Sequence, residues 1–247
     1  MNFINPDLEF FEENRECSYF EDQKSDMRYR FLNSCSIEDY QKKLERGWRR
    51  FGKIHFVPEC KSCTKCVSMR IDVKNFEFSK SQKRVLNKNK DTKVFIRPPT
   101  VTKEHMDLYH KYHSVMQAKK DWKYLPIDHE DYIKSYVEGN KKYATEFLYL
   151  RDDELIGVAL VDILPNAISS IYCFYDHDFE EFSIGKFSIL TQINIAKELN
   201  IPYIYLGYWI DNHYSMGYKK EYMPFDILKN RANLNEETIW EKFVQEK

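Results

Sequence analysis

Two periodicities organise the apolar positions of this chain. In the second half they fall into short runs separated by turn residues. Residues 147–151 (Phe-Leu-Tyr-Leu-Arg) and 155–163 flank Asp152-Asp153 and predict a β-hairpin, and residues 168–175 predict a third strand. From Ser183 to Leu199 the period changes. Ile184, Phe187, Leu190 and Ile193 recur every three positions, with Leu199 six further on, and predict one wide buried face, the mark of a helix. Residues 201–210 then predict a fourth, aromatic strand. An antiparallel run, a helix and a parallel-type return strand make a mixed α+β layer.

The first half is less regular. Ser36 and Asp39 resemble a helix start, and Gly47 a helix stop, with Tyr40 and Leu44 between them. Residues 54–57 and 69–73 read as short strands, and Ser79 or Ser81 can cap a short helix. Arg97-Pro98-Pro99 breaks regular structure, and helices are expected over 102–116 and 129–138. Residues 1–75 therefore read as an irregular, cysteine-bearing region, and residues 76–247 as the main domain.

Composition narrows the function. The 247 residues are 43% hydrophobic and 16% aromatic, enough for a substantial core. The formal net charge is -1, so any contact with nucleic acid must use a local basic patch. No apolar run of about 18 residues is present, which predicts no transmembrane helix. The acidic, aromatic start lacks the pattern of a signal peptide, so a cytoplasmic protein is expected.

Three groups of residues carry candidate chemistry. Cys60-Lys-Ser-Cys63-Thr-Lys-Cys66 is a C-x2-C-x2-C run whose thiolates can converge on one ion or cluster, with Cys17 as the natural fourth ligand. That spacing serves zinc and an iron–sulfur cluster equally. Cys35 and Cys173 read as unliganded, Cys173 as core. Lys80, Lys83, Arg84 and Lys88 can share a helix face that neutralises phosphates without reading bases, although a plain solvated face has the same composition. Arg49 and Arg50, set between aromatics, suit stacking and anion contacts. Near the end of the last strand, Tyr218 and Lys219 can hold a carboxylate or an RNA end; a lysine is rarely buried without a partner. Ser183-Ile-Gly-Lys186 opens the long helix, where free N–H groups attract anions. A coenzyme A site would want more glycine there, so coenzyme A is not expected.

The strand–helix–strand order is that of a GNAT-class acyltransferase, and several segments carry a more specific resemblance. They are Glu45-Arg-Gly-Trp-Arg-Arg-Phe-Gly52, the cysteine run continuing to Met69-Arg-Ile-Asp72, and residues 78–89. In the second half they are Ile171-Tyr-Cys-Phe-Tyr-Asp176, Ser183-Ile-Gly185, Tyr205-Leu-Gly-Tyr-Trp-Ile210 and Met216-Gly-Tyr-Lys219. In this collinear order the chain resembles the arginyl-tRNA–protein transferase family, and within it the bacterial aspartate/glutamate leucyltransferase branch. The resemblance implies a GNAT-like fold preceded by a cysteine-bearing region. It also implies transfer of an aminoacyl group from charged tRNA to the α-amine of proteins starting with Asp or Glu, which feeds the N-degron pathway of degradation. The short length and the single Cys17, where eukaryotic members carry a cysteine pair, favour leucine as the group transferred. The alternative is arginine, which would need a buried carboxylate such as Asp162 or Asp176. Where the family has proline after Asp176, this chain has His177.

Roles follow from that chemistry as expectations. Asp176, at the end of an apolar strand, is placed near the amine as a base, with Lys219 and Tyr218 beside the reacting groups. Arg49, Arg50 and Arg70 are candidates to bind the acceptor's carboxylate. Lys80, Lys83, Arg84 and Lys88 are expected on tRNA phosphates. Two other classes stay open: a coenzyme A acetyltransferase, and a metal-bearing RNA-binding module without catalysis.

Overall fold

Local chemistry sets the element ends. In the computed structural model, residues 7–244 are described except 121, 125, 140 and 234. Strands β1 (Leu8–Glu16) and β2 (Lys24–Phe31) form a hairpin, followed by helix α1 (Ile37–Glu45) and the short hairpin β3 (Arg49–Phe51) and β4 (Ile54–Pro58). The Ser36 hydroxyl accepts the Asp39 N–H at 3.0 Å, and Gly47 takes φ +80° just past the helix end, as expected. These four strands make one antiparallel sheet in the order β1-β2-β4-β3.

Next come β5 (Val67–Asp72), α2 (Lys80–Lys88), β6 (Lys93–Arg97), α3 (Lys103–Lys120) and α4 (His129–Tyr132), which runs on as a π-helical turn over Ile133–Val137. Helix α2 starts at a full capping box: Ser79 accepts the Gln82 N–H, and Gln82 accepts the Ser79 N–H. The chain continues through β7 (Ala144–Arg151), β8 (Glu154–Leu164), β9 (Ala167–Tyr175), α5 (Ile184–Glu198), β10 (Tyr203–Trp209), β11 (Phe225–Leu228) and β12 (Trp240–Lys242). Asp152 and Asp153, between β7 and β8, both have positive φ (49° and 63°), the conformation that a tight hairpin turn requires. The larger sheet has eight strands in the order β12-β11-β5-β10-β9-β8-β7-β6; the pair β9–β10 is parallel and the other described pairings are antiparallel. The α+β class read from the sequence is the class observed.

Two helical layers explain why the middles of β7 and β8 are apolar on both faces. Phe147, Tyr149 and Ile156 pack with Ile184, Leu190 and Ile193 of α5, while Leu148 and Val158 pack with Leu108, Tyr109 and Tyr112 of α3. With both faces covered, polar alternation disappears. Each such buried side chain contributes about 1.5–3 kcal/mol. Strands β1 and β2 were not legible as strands. β1 is exposed along nearly its whole length, so its residues show no buried face, and cross-strand hydrogen bonding to β2 defines it. Residues 1–6 of the cysteine-bearing region and 245–247 of the main domain lie outside the described residues.

The first sheet lies against the second where β3 meets β8. Gly52, at φ +52°, turns the β3–β4 hairpin, and a Cβ there would sit 1.8 Å from the Lys134 carbonyl oxygen. Gly52→Ala is expected to combine this overlap with left-handed strain and cost at least about 3 kcal/mol, or roughly 6–12 °C of melting temperature. A melting curve within about 2 °C of the parent would show that the β3–β4 hairpin is not held against the Ile133–Val137 turn.

Candidate active site

A cavity of about 640 Å³ lies between the two sheets. The first sheet supplies Tyr29, Phe51 and Phe56, β9 supplies Tyr172, and β10 supplies Leu206 and Gly207. Six cations reach its wall: Arg15, Lys24, Arg49, Arg50, Lys219 and Arg231. Among the described residues that line it, none is Asp, Glu or His. The space is thus apolar in its walls and positive in its field, a setting for an anion with an apolar appendage.

Arg49 and Lys219 are the chemically unusual pair. Arg49 is buried and donates to the Tyr205 carbonyl at 2.8 Å and the Ser169 hydroxyl at 3.4 Å, both neutral groups. Burial pulls its pKa down. Lys219, also buried, donates to the Tyr208 carbonyl at 2.6 Å. Burial first, and then the Arg49 charge, bring its pKa down to about 7. Among the described residues neither forms an ion pair with a carboxylate. A bulge in β10 makes this arrangement: the register shifts between Tyr205 and Gly207, and Gly207 takes φ +83°. A Cβ at Gly207 would lie 3.3 Å from Arg49 Nη2 and 3.7 Å from Lys219 Nζ. Glycine leaves both cations room to reach carbonyls of the same strand.

The other expected acceptor-binding residues are engaged elsewhere. Arg50 lines the cavity, but its guanidinium grips Asp162 with two N–H groups and donates a third to the Gly52 carbonyl at 2.8 Å. Arg70 pairs with Asp226 at 3.0 Å, stacks on Tyr203 and Trp240 at 3.8 and 4.4 Å, and does not line the cavity. Asp176 is buried and off the lining. It accepts Lys111 Nζ at 2.7 Å and the Asp178 N–H at 2.9 Å, capping a turn. Tyr218 is exposed and off the lining, next to the buried Lys219. Lys80, Lys83, Arg84 and Lys88 are exposed on α2; Lys88 pairs with Glu181 at 3.3 Å, and none of the four lines the cavity.

All four candidate metal ligands share the cavity wall. Cys17, Cys60, Cys63 and Cys66 are free thiols. Burial, then the nearby Cys17, Cys60 and Cys63, push the Cys66 thiol up to about 12. An all-sulfur donor set of this kind fits zinc or an iron–sulfur cluster in its chemistry, since a cation would relieve the repulsion among the thiolates. Among the described residues, no three His, Cys, Asp or Glu side chains are already drawn together as a ligand cage.

One pair went unrecognised in the sequence. His113 of α3 places Nδ1 2.7 Å from the Tyr109 carbonyl, which only accepts, so Nδ1 carries the proton. Its Nε2 therefore accepts from the Tyr172 hydroxyl at 2.7 Å, and Tyr172 lines the cavity. Packing of α3 on β9 joins these residues, and no local motif marks them. Arg231, which donates to the Cys60 and Cys63 carbonyls at 3.0 Å each, is likewise connected to the site only in space.

Comparison with known proteins agrees along most of the chain. Residues 15–84 match a family model described as arginine-tRNA-protein transferase, N terminus, and residues 104–229 match the corresponding C terminus. The aspartate/glutamate leucyltransferase of Helicobacter hepaticus is 43% identical over 236 residues, 96% of this chain and 98% of that one. The aspartate/glutamate leucyltransferase of Campylobacter jejuni is 46% identical over 228 residues, 92% and 95% of the two chains. The equivalent protein of Pseudomonas syringae is 34% identical over 216 residues, 87% and 91%. Among solved structures, FemX aligns at 10% identity with a TM-score of 0.49, over 82% of this chain and 69% of that one, too loose a likeness to carry an argument.

Lys219 gives the site a pH signature. Its pKa falls from 10.5 to about 7 on folding, so between these values the unfolded chain binds more protons. Its contribution to stability is fully present above about 10.5, and is lost as pH falls toward about 7. Relative to Lys219→Met, the parent protein should gain roughly 1–2 kcal/mol of stability between pH 7 and 9, read from urea midpoints. Parallel pH profiles for the two proteins would mean that Lys219 is not buried as a strained cation.

Proposed function

The chain belongs to the arginine-tRNA–protein transferase family, and from that premise we propose that it moves leucine from Leu-tRNA to the α-amine of proteins beginning with Asp or Glu, committing them to degradation. The observation that carries this reading is the carboxylate-free cavity in which Arg49 and Lys219 have only neutral partners. An acidic first side chain supplies the missing negative charge, and an arginine fork holds a carboxylate by two hydrogen bonds. The apolar remainder of the wall suits a leucyl side chain. An arginyl group would instead need an acid in the cavity. Asp162 is taken by Arg50 and Asp176 by Lys111, and neither lines the space.

The reaction joins the acceptor's nitrogen to the ester carbonyl carbon and breaks the bond from that carbon to the ribose oxygen. The ester is already activated, so holding the two substrates together provides much of the rate. As the C–N bond forms, the nitrogen must lose a proton. The Tyr172 hydroxyl takes it while passing its own proton to His113 Nε2, and the departing ribose oxygen recovers a proton by the reverse path. His113 is suited to this because Nδ1 is tied to a carbonyl and Nε2 is left as the acceptor. Asp176 acts at a distance, by holding the turn that follows β9.

The antiparallel β7–β9, the crossover helix α5 and the parallel β10 support a GNAT-like acyltransferase reading of residues 76–247, with 1–75 as the cysteine-bearing region. Coenzyme A has no part in it. The single glycine at the start of α5, Gly185, serves packing, since a Cβ there would lie 3.0 Å from the Tyr175 ring. Cys17, Cys60, Cys63 and Cys66 would hold a zinc ion or iron–sulfur cluster, which would cross-link the chain along one wall. The exposed cations of α2 would meet phosphates of the tRNA body.

Labelled Leu-tRNA and Arg-tRNA, each offered with peptides starting with Asp, Glu or Ala, test the assignment: leucine should pass to the Asp and Glu peptides only. Arg49→Met should lower kcat/KM for the Asp peptide about 100-fold and erase its preference over Ala. Tyr172→Phe should leave KM for the peptide unchanged and lower kcat by roughly 100-fold or more. Full turnover after this substitution would remove the tyrosine from the proton path.

A further inference from the structure

A second cavity, of about 260 Å³, adjoins the first across Arg231. Arg28, Arg30, Arg46 and Arg231 line it beside Trp48, with Glu59 as the one carboxylate among the described lining residues. Arg231 lines both spaces, and its two hydrogen bonds go to the backbone of Cys60 and Cys63, residues that form the wall of the transfer cavity. We propose that this arginine pocket binds phosphate groups of the single-stranded 3′ end of tRNA, so that the RNA enters the transfer cavity across the first sheet. The inference rests on the reading of the chain as a tRNA-dependent transferase and specifies where its donor is held.

The chemistry of the pocket is that of a phosphate site with an internal competitor. Arg28 pairs with Glu59 at 2.9 Å and with Glu9 at 3.5 Å, and Arg30 pairs with Glu9. These side chains are a quarter to a third exposed. The pairs stay open to solvent on one side, so an RNA phosphate can take the carboxylate's place on either fork. Arg46 donates to the carbonyls of Lys42, Asn233 and Glu236 at 3.0–3.1 Å, which anchors its guanidinium on the rim. Arg30 lies 5.4 Å from the centre of the buried Trp48 ring, which backs the guanidinium from beneath. Position decides between this pocket and α2. The nucleotide bearing the ester must be next to the cavity, and the α2 cations do not line it, whereas Arg231 does.

Two variants with opposite expected signs test the proposal. The probe is an uncharged RNA minihelix with a single-stranded tRNA 3′ end, titrated into the full-length protein at several salt concentrations. Arg28→Gln with Arg30→Gln should weaken binding about tenfold and make the salt dependence shallower by roughly 1.4 in the log–log slope, two single-strand contacts' worth. Glu9→Gln with Glu59→Gln, which removes the competitors, should tighten binding several-fold. A merely structural role for these pairs predicts loss or no change in both variants, so the tightening is decisive and does not depend on the arginine variant folding well. An affinity that moves with neither variant overturns the pocket, as does an acidic peptide whose binding tracks the variants while that of RNA does not. Unchanged RNA binding with normal leucyl transfer defeats the pocket alone. RNA binding that follows the variants in a protein unable to transfer leucine defeats the transferase reading and leaves the pocket standing.

Discussion

The buried pair between Arg50 and Asp162 determines where everything else sits. Arg50 comes from β3 of the smaller sheet and Asp162 from β8 of the larger, and both are almost wholly removed from water. Two charges taken out of water gain little net energy unless every donor and acceptor is satisfied. Here the guanidinium grips both carboxylate oxygens and gives a further N–H to the Gly52 carbonyl. The gain is therefore in position: the pair fixes how β3 meets β8, and Arg49 adds contacts to β9 and β10 beside it. Small residues permit the approach, since a Cβ on Gly139 would come within 2.6 Å of Arg50 Nη1. His55, opposite Arg50 in the hairpin, stays neutral because burial and then the Arg50 charge bring its pKa down to about 3.

With the sheets locked in this way, three arginines that look alike in the sequence have three different environments. Arg50 is neutralised inside the joint, and Arg70 is neutralised by Asp226 and sandwiched by aromatics. Arg49, the immediate neighbour of Arg50, points to carbonyl and hydroxyl oxygens and keeps its full charge beside Lys219. Both arginines reach the larger sheet and line the cavity, and what separates them is the partner: a carboxylate for Arg50, neutral oxygens for Arg49. An uncompensated positive field in a partly enclosed, apolar space is costly for folding. Selection for it is easiest to understand if an anionic substrate supplies the missing charge.

The cysteine segment connects the transfer cavity to the arginine pocket. Arg231 holds the backbone of Cys60 and Cys63 and lines both spaces, and the two cysteines line the transfer cavity. Ordering of this segment, whether by thiolate ligation or by RNA at the arginines, would be felt in both spaces through the same few hydrogen bonds.

Much of the fold was legible in the sequence. The helix caps at Ser36 and Ser79, the Asp152-Asp153 turn, the three-residue spacing of α5 and the apolar runs of β7–β10 are local signals, produced by hydrogen bonding and periodic burial within a few residues. The collinear segments from Glu45 to Lys219 were likewise enough to indicate the family. β1, β2 and the β11–β12 edge were not legible: β1 and β12 expose most of their surface, β2 and β11 are half-buried without a clean alternation, and all four are defined by their partners. The site was legible only in residue type. Arg49, Lys219 and the four cysteines were named and do share one cavity, whereas Asp176, Arg70 and Tyr218 were named and do not line it. Charge and side-chain chemistry are properties of the sequence. Which charges are cancelled, and which tyrosine hydroxyl meets which imidazole, depends on contacts between residues far apart along the chain, and these exist only once α3, β9 and the two sheets have packed.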